Sequence, residues 1–237
     1  MKKLMLVVML CSLRATAQSP QALTDRDKTE IQALVTGYAK ALGGCAANDY
    51  ADLFAPDKGY FASGFRGHVV GRDRLIAMVQ SERQCINAPA ATQVNRTVNG
   101  PTVVFNVTPS GVFGIADLGN AGRYEDEYVK TSKGWRFAAR TVITPGEQAA
   151  GLSAAALLAL QRLAGGPQDA DDFWAPGQDG VKRFQSAGVV VRVSNGTVTG
   201  RVYQKDGGHY DDVYEKNADG NWRFKSRVYV ADAPAGK

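Results

Sequence analysis

Two stretches of the chain alternate tyrosine with acid: Tyr124-Glu125-Asp126-Glu127-Tyr128 and Tyr210-Asp211-Asp212-Val213-Tyr214. Strand alternation puts Tyr124, Asp126 and Tyr128 on one face, with Arg123, Glu125 and Glu127 on the other. A carboxylate on the face that meets a core or pocket is either held by a tyrosine hydroxyl or raised in pKa by desolvation. Raised, it can move a proton beside a carbonyl, with His68 as the candidate partner base. Tyr38, Tyr60, Tyr124 and Tyr128 are the candidate ligand-lining hydroxyls. Each has a plainer reading. Asp126 can be a structural anchor, His68 an edge histidine, and Tyr38 a core residue at helical spacing. A hairpin turn at Thr131–Gly134 predicts Tyr128 opposite Phe137, Asp126 opposite the small Ala139, and Glu125 opposite Arg140. The Glu/Arg set then reads as a ladder of cross-strand pairs on a solvated face, each worth about 0.2–1 kcal/mol. In the second stretch the same logic sets Asp211 opposite Arg227 and Glu215 opposite Arg223.

Composition removes several alternatives. The chain has 237 residues and a formal charge of +5. Residues 1–17 carry Lys2, Lys3, Arg14 and no acid, so without them 25 basic residues face 23 acidic ones. That balance predicts no nucleic-acid partner. Lys2-Lys3, the apolar run Leu4–Cys11 and Ala15-Thr16-Ala17 read as a signal peptide cut before Gln18, which predicts a secreted or periplasmic protein. No apolar run is long enough for an integral membrane segment. Two histidines cannot build a Cys/His zinc motif, and no glycine-rich phosphate loop occurs, so neither metal nor cofactor is expected. In an exported chain Cys45 and Cys85 read as a disulfide.

The elements that must position these groups follow from spacing. Thr24-Asp25-Arg26-Asp27 opens a helix with Ile31, Leu34, Val35, Tyr38 and Leu42 on one face, stopped by Gly43-Gly44. A short helix through Tyr50 ends at Pro56. Two short strands follow, around the turn Ser63–Gly67, and then a helix over Arg72–Arg83. Strands are predicted at Pro101–Val107, Val112–Leu118, Arg123–Val129 and Trp135–Ile143. The order gives an α+β class with helices on one face of an antiparallel sheet. The most specific feature is a repeat: Gly, Tyr, Asp, Tyr, Lys, Trp, Arg, Phe and Arg recur in order between residues 122–143 and 208–230. Asp172-Phe173-Trp174-Ala175-Pro176 also echoes Asp52-Leu53-Phe54-Ala55-Pro56. The chain thus divides into a leader (1–17), a first unit (24–145) and a truncated repeat (146–237) that has lost a segment, read as its two short strands and third helix.

The run Gly37-Tyr38-Ala39, Tyr50-Ala51-Asp52-Leu53-Phe54-Ala55-Pro56, Gly67-His68-Val69-Val70-Gly71-Arg72 and Gly134-Trp135-Arg136-Phe137-Ala138-Ala139-Arg140 resembles the SnoaL-like members of the nuclear transport factor 2-like superfamily. The resemblance implies a cone-shaped curved sheet packed on helices, with a pocket at its open end. Catalytic relatives resembling scytalone dehydratase carry an Asp after the first helix and a His on a later strand. Here Gly43 and Thr92–Arg96 offer neither. The expected function is an exported pocket protein for a small apolar or aromatic ligand. The alternatives are a cofactor-free isomerase or dehydratase using Asp126 and His68, or a non-catalytic structural or interaction module. A homodimer and an internal pseudo-dimer are both open.

Overall fold

The computed structural model describes residues 22–86, 100–165, 173–175, 183–185, 189–203 and 208–231. The leader, the cleavage position before Gln18 and the Thr92–Arg96 segment lie outside these residues. Thr24 caps helix α1 (Asp25–Gly43) through a reciprocal box with Asp27. Ile31, Leu34, Val35 and Tyr38 are buried along its inner stripe, as their spacing predicts. Helix α2 (Ala47–Ala51), the hairpin β1 (Tyr60–Ser63) and β2 (Gly67–Val70), and helix α3 (Arg72–Gln80) follow. Cys45, in the turn after α1, joins Cys85 beyond α3 with Cα atoms 5.4 Å apart. That link closes a loop whose entropy in the unfolded chain is worth about 3–4 kcal/mol.

Strands β3 (Val103–Thr108), β4 (Gly111–Asp117), β5 (Arg123–Thr131) and β6 (Gly134–Ile143) form an antiparallel meander. β1 adds in parallel to β6, giving the open order β2-β1-β6-β5-β4-β3. The class is α+β, with a curved sheet wrapped on helices, as expected. Ile31, Tyr38, Tyr50, Phe54, Val69, Leu75 and Phe137 fill the space between α1 and the inner sheet face. Asp27 ties the start of α1 to the far hairpin, accepting from Trp135 Nε1 at 2.8 Å and Lys130 Nζ at 2.7 Å. The Lys130 ammonium, with Thr24 and Trp135, holds its carboxyl below the usual range.

After Ile143 the chain turns through α4 (Pro145–Ala149), capped by Thr144 and Glu147, into α5 (Ala154–Gly165). Strands β7 (Phe173–Ala175) and β8 (Arg183–Gln185) pair with each other. β7 falls on the Asp172–Pro176 echo of Asp52–Pro56, ahead of the positions where the first unit has its two short strands, and the β7–β8 pair forms a sheet of its own. Strands β9 (Val189–Ser194), β10 (Thr197–Tyr203), β11 (His209–Lys216) and β12 (Trp222–Val230) form a second antiparallel sheet, ordered β12-β11-β10-β9, which fits a partial second copy. Its core joins Leu152, Leu157 and Leu160 to Val198, Val202 and Tyr214, with Ile143 of β6 contributed by the first sheet.

Both hairpins carry a bulge at the same place. Tyr128 pairs with Phe137 and Glu127 with Ala139, so Ala138 is passed over; Tyr214 pairs with Phe224 and Val213 with Ser226, so Lys225 is passed over. The extra residue shifts the phase of β6 and β12 by one. Asp126 therefore faces Arg140 and not Ala139, and Asp212, not Asp211, faces Arg227. Glu125 lies opposite Thr141, while Glu215 faces Arg223 as expected. On the other side, Asp126 faces Gly114 and Asp212 faces Gly200. A Cβ at Gly114 would lie 2.5 Å from Val103 Cγ1 and 2.9 Å from Tyr128 Cε2, and one at Gly200 would lie 2.6 Å from the Tyr214 hydroxyl. Each glycine gives its tyrosine room to fold back onto the aspartate. Gly114→Ala and Gly200→Ala should each lower unfolding free energy in urea by about 1–3 kcal/mol, the usual cost of overpacking. Unchanged midpoints would show that the tyrosines are not held in these positions.

Candidate functional site

The inner face of β5 and β6 carries a buried ion pair. Arg140 donates from Nε to Asp126 Oδ1 at 2.9 Å and from Nη2 to Oδ2 at 2.6 Å. Tyr128 adds its hydroxyl to Oδ2 at 2.8 Å. Neither charged side chain is exposed. The guanidinium carbon lies 4.0 Å from the Tyr124 ring centre, 4.2 Å from Phe137 and 4.4 Å from Tyr38, so aromatic faces replace water around the cation. Burial opposes the charge on Arg140, but Asp126 more than offsets it and raises the guanidinium pKa. Arg140 Nη1 is buried with no hydrogen-bond partner among the described residues. The fully buried Tyr50 hydroxyl lies within hydrogen-bonding reach of the Tyr38 hydroxyl but makes no well-aligned bond. Tyr50 packs 5.1 Å from Tyr38, which lies 5.5 Å from Tyr124. Burial raises the pKa of Tyr38, Tyr50 and Tyr124, so all three stay protonated and able to donate.

Of the sequence-predicted residues, Asp126, Tyr38, Tyr124 and Tyr128 come together. His68 and Tyr60 do not join them. Val69 and Phe61 point into the inner core, so alternation places His68 and Tyr60 on the outer sheet face. Their rings meet there at 4.4 Å. Burial, with the nearby Arg162 charge on α5, pulls the His68 pKa down to about 4. The Asp126–His68 acid–base pair is thus not assembled, because the sheet separates the two.

That outer face is not the solvated ladder expected from the alternation. Glu125 accepts from the Ala154 amide at the start of α5 at 2.8 Å and from Arg123 Nε at 2.8 Å. Gln161 donates to the Ser63 carbonyl at 3.3 Å, and the Val191 amide donates to the Gly64 carbonyl at 2.8 Å. The second unit covers this end of the first sheet, so the charges serve a contact between units. An exposed cross-strand pair does occur in the second sheet, where Arg201 meets Asp211 at 2.7 Å. The main residue missed by the alternation is Arg140, followed by Tyr50. The signal for Arg140 was its recurrence as Arg227 at the same distance from a repeated phenylalanine.

The second unit repeats the constellation in a more open form. Tyr214 donates to Asp212 at 2.9 Å, and Arg227 Nε lies 3.0 Å from the same carboxylate. Arg227 stacks on Tyr210 and Phe224, and donates to the Ala164 carbonyl at the end of α5 at 2.7 Å. Its side chain is 31% exposed, against 0% for Arg140. Burial raises the Asp212 pKa despite these partners. Among the described residues, no group of three or more His, Cys, Asp or Glu gathers at a metal-binding distance.

Two outcomes follow from these positions. Asp126→Asn strips the anion from a cation that cannot reach water and should cost about 3–5 kcal/mol in urea denaturation. A loss below about 1 kcal/mol, the scale of an exposed pair, would contradict the buried pairing. His68 is neutral when folded and binds a proton more readily unfolded, so its contribution to stability is intact above pH 6.5 and declines as pH falls toward about 4. Melting temperatures of His68→Gln should therefore change less over that interval than those of the parent protein; parallel curves would refute this.

Residues 23–141 match the SnoaL-like domain family. No curated protein matches the sequence with significance. Similar solved structures include a protein of unknown function from Mycobacterium tuberculosis, 19% identical over 52% of this chain and 77% of that one, with a TM-score of 0.36. A domain of unknown function with a cystatin-like fold from Nostoc punctiforme is 17% identical over 60% of this chain and 96% of that one, with a TM-score of 0.37. An NTF2-like protein with a cystatin-like fold from Novosphingobium aromaticivorans is 20% identical, covering 56% and 89%, with a TM-score of 0.32.

Proposed function

Because the chain belongs to the SnoaL-like family, we propose that its first unit, residues 24–145, binds a small apolar or aromatic molecule bearing one acceptor oxygen. The carrying observation is the buried Arg140 Nη1, which has no partner among the described residues and is ringed by Tyr38, Tyr124 and Phe137. A buried donor left without a partner costs about 1–3 kcal/mol, which an acceptor oxygen on a ligand would recover. Tyr50, Tyr38 and Tyr124 add protonated hydroxyls in the same region, and their rings match a flat apolar body. Binding without catalysis is the better-supported form, because Asp126 is committed to Arg140 and Tyr128 and His68 faces away. We read the chain as exported, with residues 1–17 removed and residues 146–237 forming the truncated second unit. The Cys45–Cys85 bond is compatible with an oxidising compartment.

The test uses protein recovered from an exporting host. Its intact mass should correspond to a chain starting at Gln18, and the same material should bind 2-naphthol or 2-naphthoate in a calorimetric titration. Tyr50→Phe keeps the ring and removes the hydroxyl, so affinity should fall about three- to tenfold, one hydrogen bond's worth. Tyr60→Phe, on the outer face, should leave it unchanged. Absence of binding by the parent protein, or an equal loss in both variants, would sink the pocket reading. Retention of residues 1–17 would sink the export reading.

A further inference from the structure

We propose that the groove between α1 and β3 binds a free long-chain fatty acid, with its carboxylate at Lys40 and its chain laid along the helix. This goes beyond the ligand reading above and concerns a different flank of α1. Tyr38 belongs to the inner stripe, whereas Ala33, Thr36, Gly37 and Lys40 lie beside it, where the helix passes Val103 and Phe105 of β3. The groove encloses about 720 Å³, a volume typical of small-molecule sites, and its walls are mostly apolar. Ala33 and Gly37 leave the helix side of it shallow-walled, and the Val103 and Phe105 side chains form the strand side.

Two observations select the occupant. The first is what Gln32 does to the strand beside the groove. It donates to the Pro101 carbonyl at 2.9 Å, and its Oε1 accepts from the Val103 amide at 3.2 Å. The backbone groups that an added peptide strand would meet first are thereby used, so the site favours an apolar chain that asks for no hydrogen bonds. The second is charge. Lys28 and Lys40 stand on the same flank of α1, about 18 Å apart along the helix, and no carboxylate lines the groove. Lys28 donates to Asp25 at 3.1 Å. Lys40 is exposed, and its side chain makes no hydrogen bond or ion pair among the described residues. One cation is therefore left for an anionic head. The apolar stem of Lys28, whose ammonium is engaged by Asp25, can cover the far end of the chain.

Calorimetric titration of the full chain with monomeric dodecanoate tests this. The parent protein should bind it saturably, and affinity should rise from octanoate to dodecanoate by about two- to fourfold per methylene. Lys40→Gln should weaken dodecanoate about three- to fivefold, the reach of one exposed ion pair. Lys133→Gln, on the distant turn between β5 and β6, should leave affinity unchanged. Ala33→Trp alters an exposed helix position, so its melting temperature should match the parent's, while the indole fills the groove and lowers affinity at least about tenfold. A parent chain that binds no dodecanoate would overturn the proposal. So would an equal loss in the two lysine variants, or full affinity in Ala33→Trp, which would place the fatty acid elsewhere. Binding to phosphatidylglycerol vesicles without binding of monomeric dodecanoate would also overturn it, in favour of a membrane surface.

Discussion

The first unit is organised around a charge that cannot reach water. Arg140 sits with no exposed surface between three aromatic rings, and its cost of desolvation is met by two hydrogen bonds to Asp126 and by ring faces. Replacing such a pair with apolar residues is often neutral or stabilising, so its presence is not explained by stability alone. What it does impose is register. In an unbroken ladder Arg140 would point to the outer face, and Asp126 would keep only the Tyr128 hydroxyl in the core. The bulge at Ala138 and the pair therefore require each other, and a one-residue slip that removed the bulge would leave a buried carboxylate without its cation. Gly114 and Tyr128 complete the arrangement, since the tyrosine reaches Asp126 only by lying across a residue without a side chain.

Elements governed by local rules were legible in the sequence. The Thr24–Asp27 capping box and the spacing of Ile31, Leu34, Val35 and Tyr38 place α1, and the two turns place the hairpins. The face of Asp126 also follows from alternation. Its partner does not, because a bulge made of Ala138 has no glycine or proline to mark it. Yet the repeat held the clue. Phe137 and Arg140 recur as Phe224 and Arg227, three residues apart. Two residues three apart in a regular strand point to opposite faces, so a pair retained in both copies and serving one core calls for an inserted residue between them. The outer-face contacts were less accessible still. Glu125 reads as a surface acid until the start of α5, about thirty residues later, supplies the amide it accepts from.

The two sheets show one constellation under different covers. In the first, α1 runs across the whole inner face and lays Tyr38 over Arg140. In the second, α5 is shorter and reaches Arg227 only with the carbonyl of Ala164 near its end. The same Asp–Tyr–Arg set is consequently sealed in one unit and half open in the other. The device that fixes strand register thus occurs in both sheets, while the helix beside the second is shorter. A structural role for the pair explains its survival in a truncated copy. Arg140 Nη1 has no such structural task, being buried with no hydrogen-bond partner among the described residues.

The joint between units gives the two faces of the first sheet different surroundings. On the outer side, α5 and β9 are held by Glu125, Ser63 and Gly64, and the approach is close enough that a Cβ at Gly64 would lie 2.6 Å from the Val191 carbonyl. Ile143 leaves β6 to enter the second core, so the first sheet also supplies part of the second unit's packing. His68 and Tyr60 are captured in this joint, which explains a neutral, half-buried imidazole beside Arg162. The phenols, the guanidinium and the aromatic rings converge on the inner face. Strand alternation keeps this cluster and the joint on opposite sides of one sheet, and the bulge moves a single arginine from the joint to the core.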